Sequence, residues 1–549
     1  MRIRIRFSPT ASPRLALLVA CALCLPSLLL AFSPQHVVFT WQGDTGTTLT
    51  VNYQTLGGRK VPTQVFHDTQ PREGRIAEYR HRAEGRSFQI PGIEDRWIHR
   101  VELTGLTPGA TVFLTVGDPA LGTSRELKVR TIPHDDRPLR FIAGGDLDAK
   151  HDTREMLREA ARFSPDFALI GGDIAYDDGR LDNLGLWDSW LSYWSEEMIT
   201  PDGYAIPFVA AIGNHEVRGG YGGSIEDAPF YFSFLGQHPE SRTYFAHQFG
   251  ANLVVLSLDT GHIATHDGPQ TQWLEETLER FKDVPFRAAQ YHVPLYPSTR
   301  SYDDRWATLG RKHWLPLFDR YELTVAFENH EHTFKRSHLL RNNEVVAERG
   351  TLYLGDGAWG REQRPITKGG RWYLNKAAQA LHFWVVDVDR HGLVYRAIDP
   401  LGRTFDVYPA ETPGAEAAAA LYRTIRSHYI LPAGVASARM LNETTETVEY
   451  PTVIHLHNTF DRPMSVEMEY HSGPLDARAD GLPAKLHVAP GEQKEHAFTL
   501  HLRQPQHPND TRYWVSATMR VDQAEGPPEI YETRLTIQSA HRNPAPARP

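Results

Sequence analysis

The spacing of apolar residues changes along the chain, and each change predicts a change of architecture. From 36 to 133 apolar and polar positions alternate with a period of two, as in Val37-Val38-Phe39-Thr40-Trp41 and residues 47–53. Residues 98–103 and 111–116 flank the turn Thr107-Pro108-Gly109. Half-buried strands joined by Pro/Gly turns predict a β-sandwich. A polar linker covers 133–138. From 138 to 408, strand-length apolar runs (139–143, 167–171, 208–212, 253–258, 286–290, 323–327) alternate with amphipathic stretches of helical length (153–163, 184–197, 269–282, 306–320). That alternation predicts a central α/β domain of βαβ units, with two sheets flanked by helices. Residues 351–354, 381–388 and 393–398 read as closing strands of the second sheet. The Ala-rich stretch 409–431 predicts a helical linker. The period returns to two over 432–539, predicting a second, Ig-like sandwich. The Pro- and Ala-rich tail 540–549 predicts disorder.

The N-terminus follows none of these patterns. Arg2, Arg4, Arg6 and Arg14 precede an apolar run over 15–32, broken by Pro26 and Ser27. A basic head, an apolar middle and small residues near Ala31 and Ser33 predict an export signal over 1–33. The mature chain would then be periplasmic, extracellular or on the cell surface. Pro26 weakens the alternative of an uncleaved spanning helix. Leu18-Val19-Ala20-Cys21 resembles a lipoprotein cleavage site, but the chain stays apolar after Cys21, so lipid anchoring is the lesser alternative. Both cysteines, Cys21 and Cys24, fall inside this segment. A mature chain would hold no disulfide, and any metal would be bound through oxygen and nitrogen.

Composition adds limits. A chain of 549 residues exceeds one ordinary core and predicts two to four domains. With 41% hydrophobic and 23% charged residues it reads as soluble protein. A net charge of −9 gives no electrostatic signal for nucleic-acid binding. Asn442 and Asn509 open glycosylation sequons.

Five short segments follow predicted strands and carry the candidate chemistry. They are Gly145-Asp146-Leu147-Asp148, Gly172-Asp173-Ile174-Ala175-Tyr176, Gly213-Asn214-His215-Glu216, Tyr291-His292-Val293-Pro294 and Asn329-His330-Glu331-His332. Each alone reads as ordinary turn or strand-face chemistry. Together they offer carboxylate, phenol, amide and imidazole donors at strand ends, where open α/β sheets bind ligands. Two cations about 3.5–4 Å apart can screen an anionic phosphate ester and acidify a bound water towards ~7. That chemistry needs one carboxylate shared by both ions and hard donors on each side.

The ordered set resembles the signature of the purple acid phosphatases within the calcineurin-like metallophosphoesterases: GDxG, GDxxY, GNH(D/E), VxxH and GHxH. The preceding sandwich is similar to the family's fibronectin-III-like domain, with Thr104-Gly105-Leu106-Thr107-Pro108-Gly109 matching its end. Tyr353-Leu354-Gly355-Asp356-Gly357-Ala358-Trp359-Gly360 resembles the family's Gly-rich strand end. The resemblance covers 36–408 and leaves the C-terminal sandwich unexplained. It implies Asp146, Tyr176 and His332 as ligands of a first metal, Fe(III), whose Tyr ligand gives the purple band. It implies Asp173 as the bridge, and Asn214, His292 and His330 on a second metal, Fe, Zn or Mn. His215 would bind phosphate and protonate the leaving alkoxide, oriented by Glu216. The implied activity is hydrolysis of phosphate monoesters by attack of a metal-bound hydroxide.

Four features depart from the pattern. Asp148 replaces the last Gly of GDxG, as an extra ligand, a residue behind the ligands, or a cap of the helix near Thr153. Asn329 replaces the Gly of GHxH, where its tolerance of left-handed backbone would preserve the turn. Ala289 replaces the Val of VxxH. The family's substrate-side histidines are missing, and Tyr296, Arg300 and Tyr302, with Asp303 and Asp304, stand there as substrate candidates. His151, His262 and His266 near the site, and His455, His457 and His501 on the C-terminal strands, read as structural. Two rivals remain: a phosphodiesterase on the same core, and a non-catalytic surface-binding protein with a degenerate site. The C-terminal domain could serve a surface or partner in either case. An alkaline phosphatase using a Cys ligand is disfavoured, because no Cys lies outside the export segment.

Overall fold

The computed structural model describes residues 34–537 apart from 239–241, 365, 367–370, 427, 433–446, 459–461, 473–476, 504–512 and 522–528. The export segment and the tail lie outside these residues. Two antiparallel sheets open the chain. Gln35–Thr40, Leu49–Leu56, Arg96–Leu103 and Arg86–Phe88 form one. His81–Glu84, Gln64–Asp68, Thr111–Asp118 and Gly122–Thr123 form the other, with Leu127–Arg130 beside Thr111–Asp118. Alternation puts Val51, Tyr53, Val101, Leu114 and Val116 in their shared core. Arg100 ties this region to the next by donating to Phe232 O and Ser233 O at 3.0 and 2.8 Å.

Two further sheets build the central region. The first runs Phe208–Ala210, Phe167–Ile170, Leu139–Gly144, Phe383–Asp389, Gly392–Ile398 and Thr404–Tyr408. Its first three strands are parallel. The second contains the parallel strands Leu253–Ser257, Phe286–Gln290, Val325–Phe327 and Thr351–Gly355. Phe167-Ala168-Leu169-Ile170 is apolar at every position because helices or the second sheet cover both its faces. Phe141 meets Phe327 edge-on at 5.7 Å, and Phe167 stacks on Phe249 at 3.8 Å, so the sheets share one core. Parallel strands point their C-terminal ends the same way, which gathers the loops that follow them.

Three expectations need correction. Residues 383–389 and 392–398 do not close the second sheet; they extend the first beside Leu139–Gly144. The helix expected over 306–320 is two, Arg305–His313 and Leu315–Arg320. Pro316 lacks the N–H that would continue the first one. The expected linker 409–431 holds the helix Ala415–Arg426, but its end enters the strand His428–Pro432, which pairs with Thr447–His457. The C-terminal part forms two four-stranded antiparallel sheets. Among the described residues no helix is long and apolar enough to cross a membrane.

Behind the strand ends lies a fully buried ion cluster. Lys335 Nζ approaches Glu328 Oε2 at 2.5 Å, Asp356 Oδ1 at 2.9 Å and Tyr296 O at 2.6 Å. Glu328 also accepts from Tyr291 and from the Leu295 N–H, while Asp356 accepts from Ser298. Each carboxylate oxygen here has a donor or the Lys335 cation beside it, which is the condition for such a cluster to be tolerated. It joins the loops at 291–298 and 328–335 to the Thr351–Gly355 strand end. Lys335→Met would leave two buried carboxylates without their cation, at a cost of about 3–5 kcal/mol. The expected outcome is a midpoint about 10 °C lower in scanning calorimetry; an unchanged midpoint contradicts this account.

Candidate metal centre

Each expected ligand stands two to six residues past a strand, and the backbone there is unusual. Asp146 (φ 53), Asp173 (φ 51), Tyr176 (φ 62), His330 (φ 76) and His332 (φ 56) are all left-handed. Such a conformation costs of order 1–3 kcal/mol per residue and marks sites where the surroundings dictate the backbone. The turns also pack closely. A Cβ on Gly213 would come within 2.3 Å of Asp173 Oδ1, and one on Gly357 within 1.8 Å of Asp146 Oδ2. Glycine is therefore required at both positions.

The side chains fall into two touching groups. In the first, Tyr176 OH lies 3.1 Å from Asp146 Oδ1 and 3.2 Å from His332 Nε2, and His332 Nε2 lies 3.0 Å from Asp146 Oδ1. In the second, His292 Nε2 faces Asp173 Oδ2 at 3.1 Å, Asn214 Oδ1 at 3.1 Å and His330 Nδ1 at 3.0 Å. The His330 N–H donates to Asp146 Oδ2 at 2.7 Å and joins the groups. His292 Nδ1 donates to Gly171 O at 2.9 Å, and His332 Nδ1 to Glu362 O at 3.0 Å. Both therefore turn Nε2 inward, the orientation that a carbonyl imposes on metal-binding imidazoles. One proton cannot serve the three donor atoms crowded on His292 Nε2, whereas a cation can. Asp173, His292 and His330 offer ligand atoms within 4.8 Å of one another. These hard oxygen and nitrogen donors fit iron, zinc or manganese.

Charge follows the same geometry. Burial opposes charge on Asp173, but His292 and His215 outweigh it and hold its carboxyl well below the usual range. Burial likewise opposes charge on His292, and Asp173 overcomes it, raising the imidazole to about 9. Burial, then Asp146, pushes the Tyr176 phenol well above its usual value. His215 stacks on Tyr176 at 4.2 Å, and its Nε2 lies 3.9 Å from Asp173 Oδ2.

Several expected roles change. Glu216 does not orient His215. Its carboxylate turns inward and accepts from the N–H groups of Gly213 (2.8 Å), Asp173 (2.8 Å) and Ile174 (2.6 Å). The contact to His215 Nδ1 comes instead from Asp178, at 2.5 Å. Sequence reading missed Asp178, although it lies two residues past Tyr176 in the same loop. Asp148 caps no helix. One oxygen accepts from the Ala149 N–H, and the other binds Lys150 at 2.8 Å and Arg361. Arg361 lies 4.4 Å over the Tyr176 ring. Asn329 is not among the left-handed residues, which fall on His330 and His332. Its amide fills the space over Gly171 and donates to Tyr291 O at 2.9 Å.

The substrate candidates separate. The buried Tyr296 and the Tyr302 ring both direct their hydroxyls to Asn343 Oδ1, at 3.1 and 2.7 Å, rather than to the donor groups. Arg300 does reach the site, donating to His330 O at 3.1 Å and to Glu331 Oε1 at 2.7 Å. Glu331 also accepts from the Thr299 and Arg300 N–H groups, so the residue between the two histidines clamps the neighbouring loop. His262 is buried against Gly220 O and Thr260. His266 is enclosed by Trp306 and Trp314. The His151 side chain lies outside what is described.

Comparison with known proteins gives a consistent picture. Residues 34–131 match the family model of the purple acid phosphatase N-terminal domain. Residues 134–334 match that of the calcineurin-like phosphoesterases. An uncharacterized Mycobacterium tuberculosis protein is 29% identical over 283 residues, covering 44% of this chain and 51% of its own. Purple acid phosphatase 13 of Arabidopsis thaliana is 26% identical over 301 residues, covering 48% and 54%. The chain thus spans about half the length of these relatives. A purple acid phosphatase from yellow lupin seeds has a similar fold, with a TM-score of 0.58 at 16% identity over 69% of this chain and 74% of that one.

The Glu216 clamp makes a direct prediction. Glu216→Gln replaces one acceptor oxygen by a donor facing backbone N–H groups, which costs about 1–3 kcal/mol. The variant is expected to melt at lower temperature and to retain less iron, zinc or manganese by elemental analysis than the parent. Equal melting and equal metal content would remove the clamp from the account.

Proposed function

Because the chain belongs to the calcineurin-like phosphoesterases that carry a purple acid phosphatase N-terminal domain, we propose that it hydrolyses phosphate monoesters at a two-metal centre. The carrying observation is the pair of touching donor groups, Asp146–Tyr176–His332 and Asp173–Asn214–His292–His330, joined through the His330 N–H. In this reading the first group would hold Fe(III) and the second a divalent Fe, Zn or Mn ion, with Asp173 as the carboxylate that would serve both. Such a pair of cations supplies charge neutralisation for the phosphate and acidifies water. The phosphorus–oxygen bond to the alcohol breaks as a water-derived oxygen bonds to phosphorus from the opposite side.

The protein's own groups complete the reaction. His215 borders Asp173, and burial there is outweighed by Asp173 and Asp178, which raise its pKa above the ordinary value. That favours its protonated form, which can bind a phosphate oxygen and give its Nε2 proton to the departing alkoxide. Asp178 on Nδ1 orients the ring and leaves Nε2 free to face substrate. Strand-end mounting keeps the donors in place before substrate arrives. The basic and apolar N-terminal segment supports export. The paired antiparallel sheets before the catalytic region support a fibronectin-III-like reading.

Purified protein is expected to carry two metal ions per chain, with a visible band that Tyr176→Phe abolishes. Asp173→Asn is expected to lose metal and activity together. His215→Ala is expected to keep its metal and lose about 10²–10⁴ in kcat on p-nitrophenyl phosphate. Faster cleavage of bis-p-nitrophenyl phosphate than of the monoester would make the chain a phosphodiesterase. Absence of bound metal would overturn the proposal.

A further inference from the structure

Arg300 and Arg364 converge on one atom. Each directs Nη1 at the carbonyl oxygen of His330, at 3.1 and 3.4 Å. One carbonyl cannot neutralise two guanidinium groups, which repel each other at this range. Arg300 has a partial counterion in Glu331, 2.7 Å away. Among the described residues no ion pair includes Arg364; its only hydrogen bond from the side chain is the one to His330 O. An anion between the two would relieve that repulsion.

The pair is held in advance. Glu331 fixes the Thr299 and Arg300 N–H groups, and Arg371 Nη2 donates to Thr299 O and Arg300 O at 3.2 and 2.5 Å. The Arg364 N–H donates to His332 O at 3.0 Å, so its backbone rides on the same loop as two donor histidines. The Arg300 side chain remains 34% exposed.

We propose that Arg300 and Arg364 form an anion subsite beside His330 that binds a second anionic group, carboxylate or phosphate, on the leaving portion of a phosphate ester. The inference rests on the two-metal phosphoesterase reading. The transferred phosphate has its own partners there, the two cations and His215 beside Asp173. Guanidinium forks match carboxylate and phosphate oxygens in pairs, and at such a site their charge adds to selectivity among esters.

Phosphoglycolate and ethyl phosphate differ by the second anion and test the subsite; pyrophosphate tests phosphate in place of carboxylate. The wild type is expected to favour phosphoglycolate or pyrophosphate over ethyl phosphate in kcat/KM. Arg364→Met is expected to lower that preference at least tenfold, mainly through KM, and Arg364→Lys to restore part of it. Calorimetric binding of phosphonoacetate against ethylphosphonate gives a readout without turnover. Equal wild-type affinity for the two phosphonates overturns the subsite, as does a parallel loss on all esters in the variants. Should no ester be hydrolysed at all, the phosphoesterase reading fails, while the phosphonate comparison still reports on the arginines.

Discussion

A buried carboxylate that accepts backbone N–H groups is the constraint from which the site's shape follows. Glu216 ties the Gly213 turn to the Asp173 turn through three such bonds. Those loops leave adjacent parallel strands, Phe208–Ala210 and Phe167–Ile170, and of the two turns the Asp173 turn is the left-handed one. Glu331 does the same on the second sheet, binding the 299–300 backbone to the histidine loop. Charge-assisted bonds of this kind are roughly twice as strong as neutral ones. They offset the cost of holding five of the candidate ligands in left-handed backbone.

The remaining support is electrostatic and lies one layer deeper. Lys335 pairs with both Glu328 and Asp356 beneath the strand ends and joins three loops. The rim is different in kind. There Arg300, Arg361 and Arg364 border the donor groups, with Asp148 and Glu362 holding the Arg361 position. The buried charges are thus paired with one another, while at the mouth Arg364 has no ion pair among the described residues. That division suits a centre that takes anionic substrates, because spare charge at the mouth attracts them without loosening the core.

The alternation of strand and helix, the order of the five segments and the identity of the donor residues were legible in the sequence. A parallel strand reads as an apolar run, and a strand end reads as Gly-Asp or Gly-Asn. Secondary roles were not legible. Glu216 reads as a partner for the adjacent His215, yet its side chain folds back on the backbone, and Asp178 takes the histidine. Tyr296 and Tyr302 stand where a substrate residue would be sought, yet they close onto Asn343.

The sequence by itself determined which chemical groups this protein can present, because donor type is a property of each residue, and which strands carry them, because periodicity is local. Only the tertiary structure decided which oxygen or nitrogen faces inward and which carboxylates serve the backbone. The same holds for the two arginines that share one carbonyl. Those choices depend on contacts between residues tens to hundreds of positions apart, such as Asp146 with His330 and Asp148 with Arg361, and no local pattern encodes them.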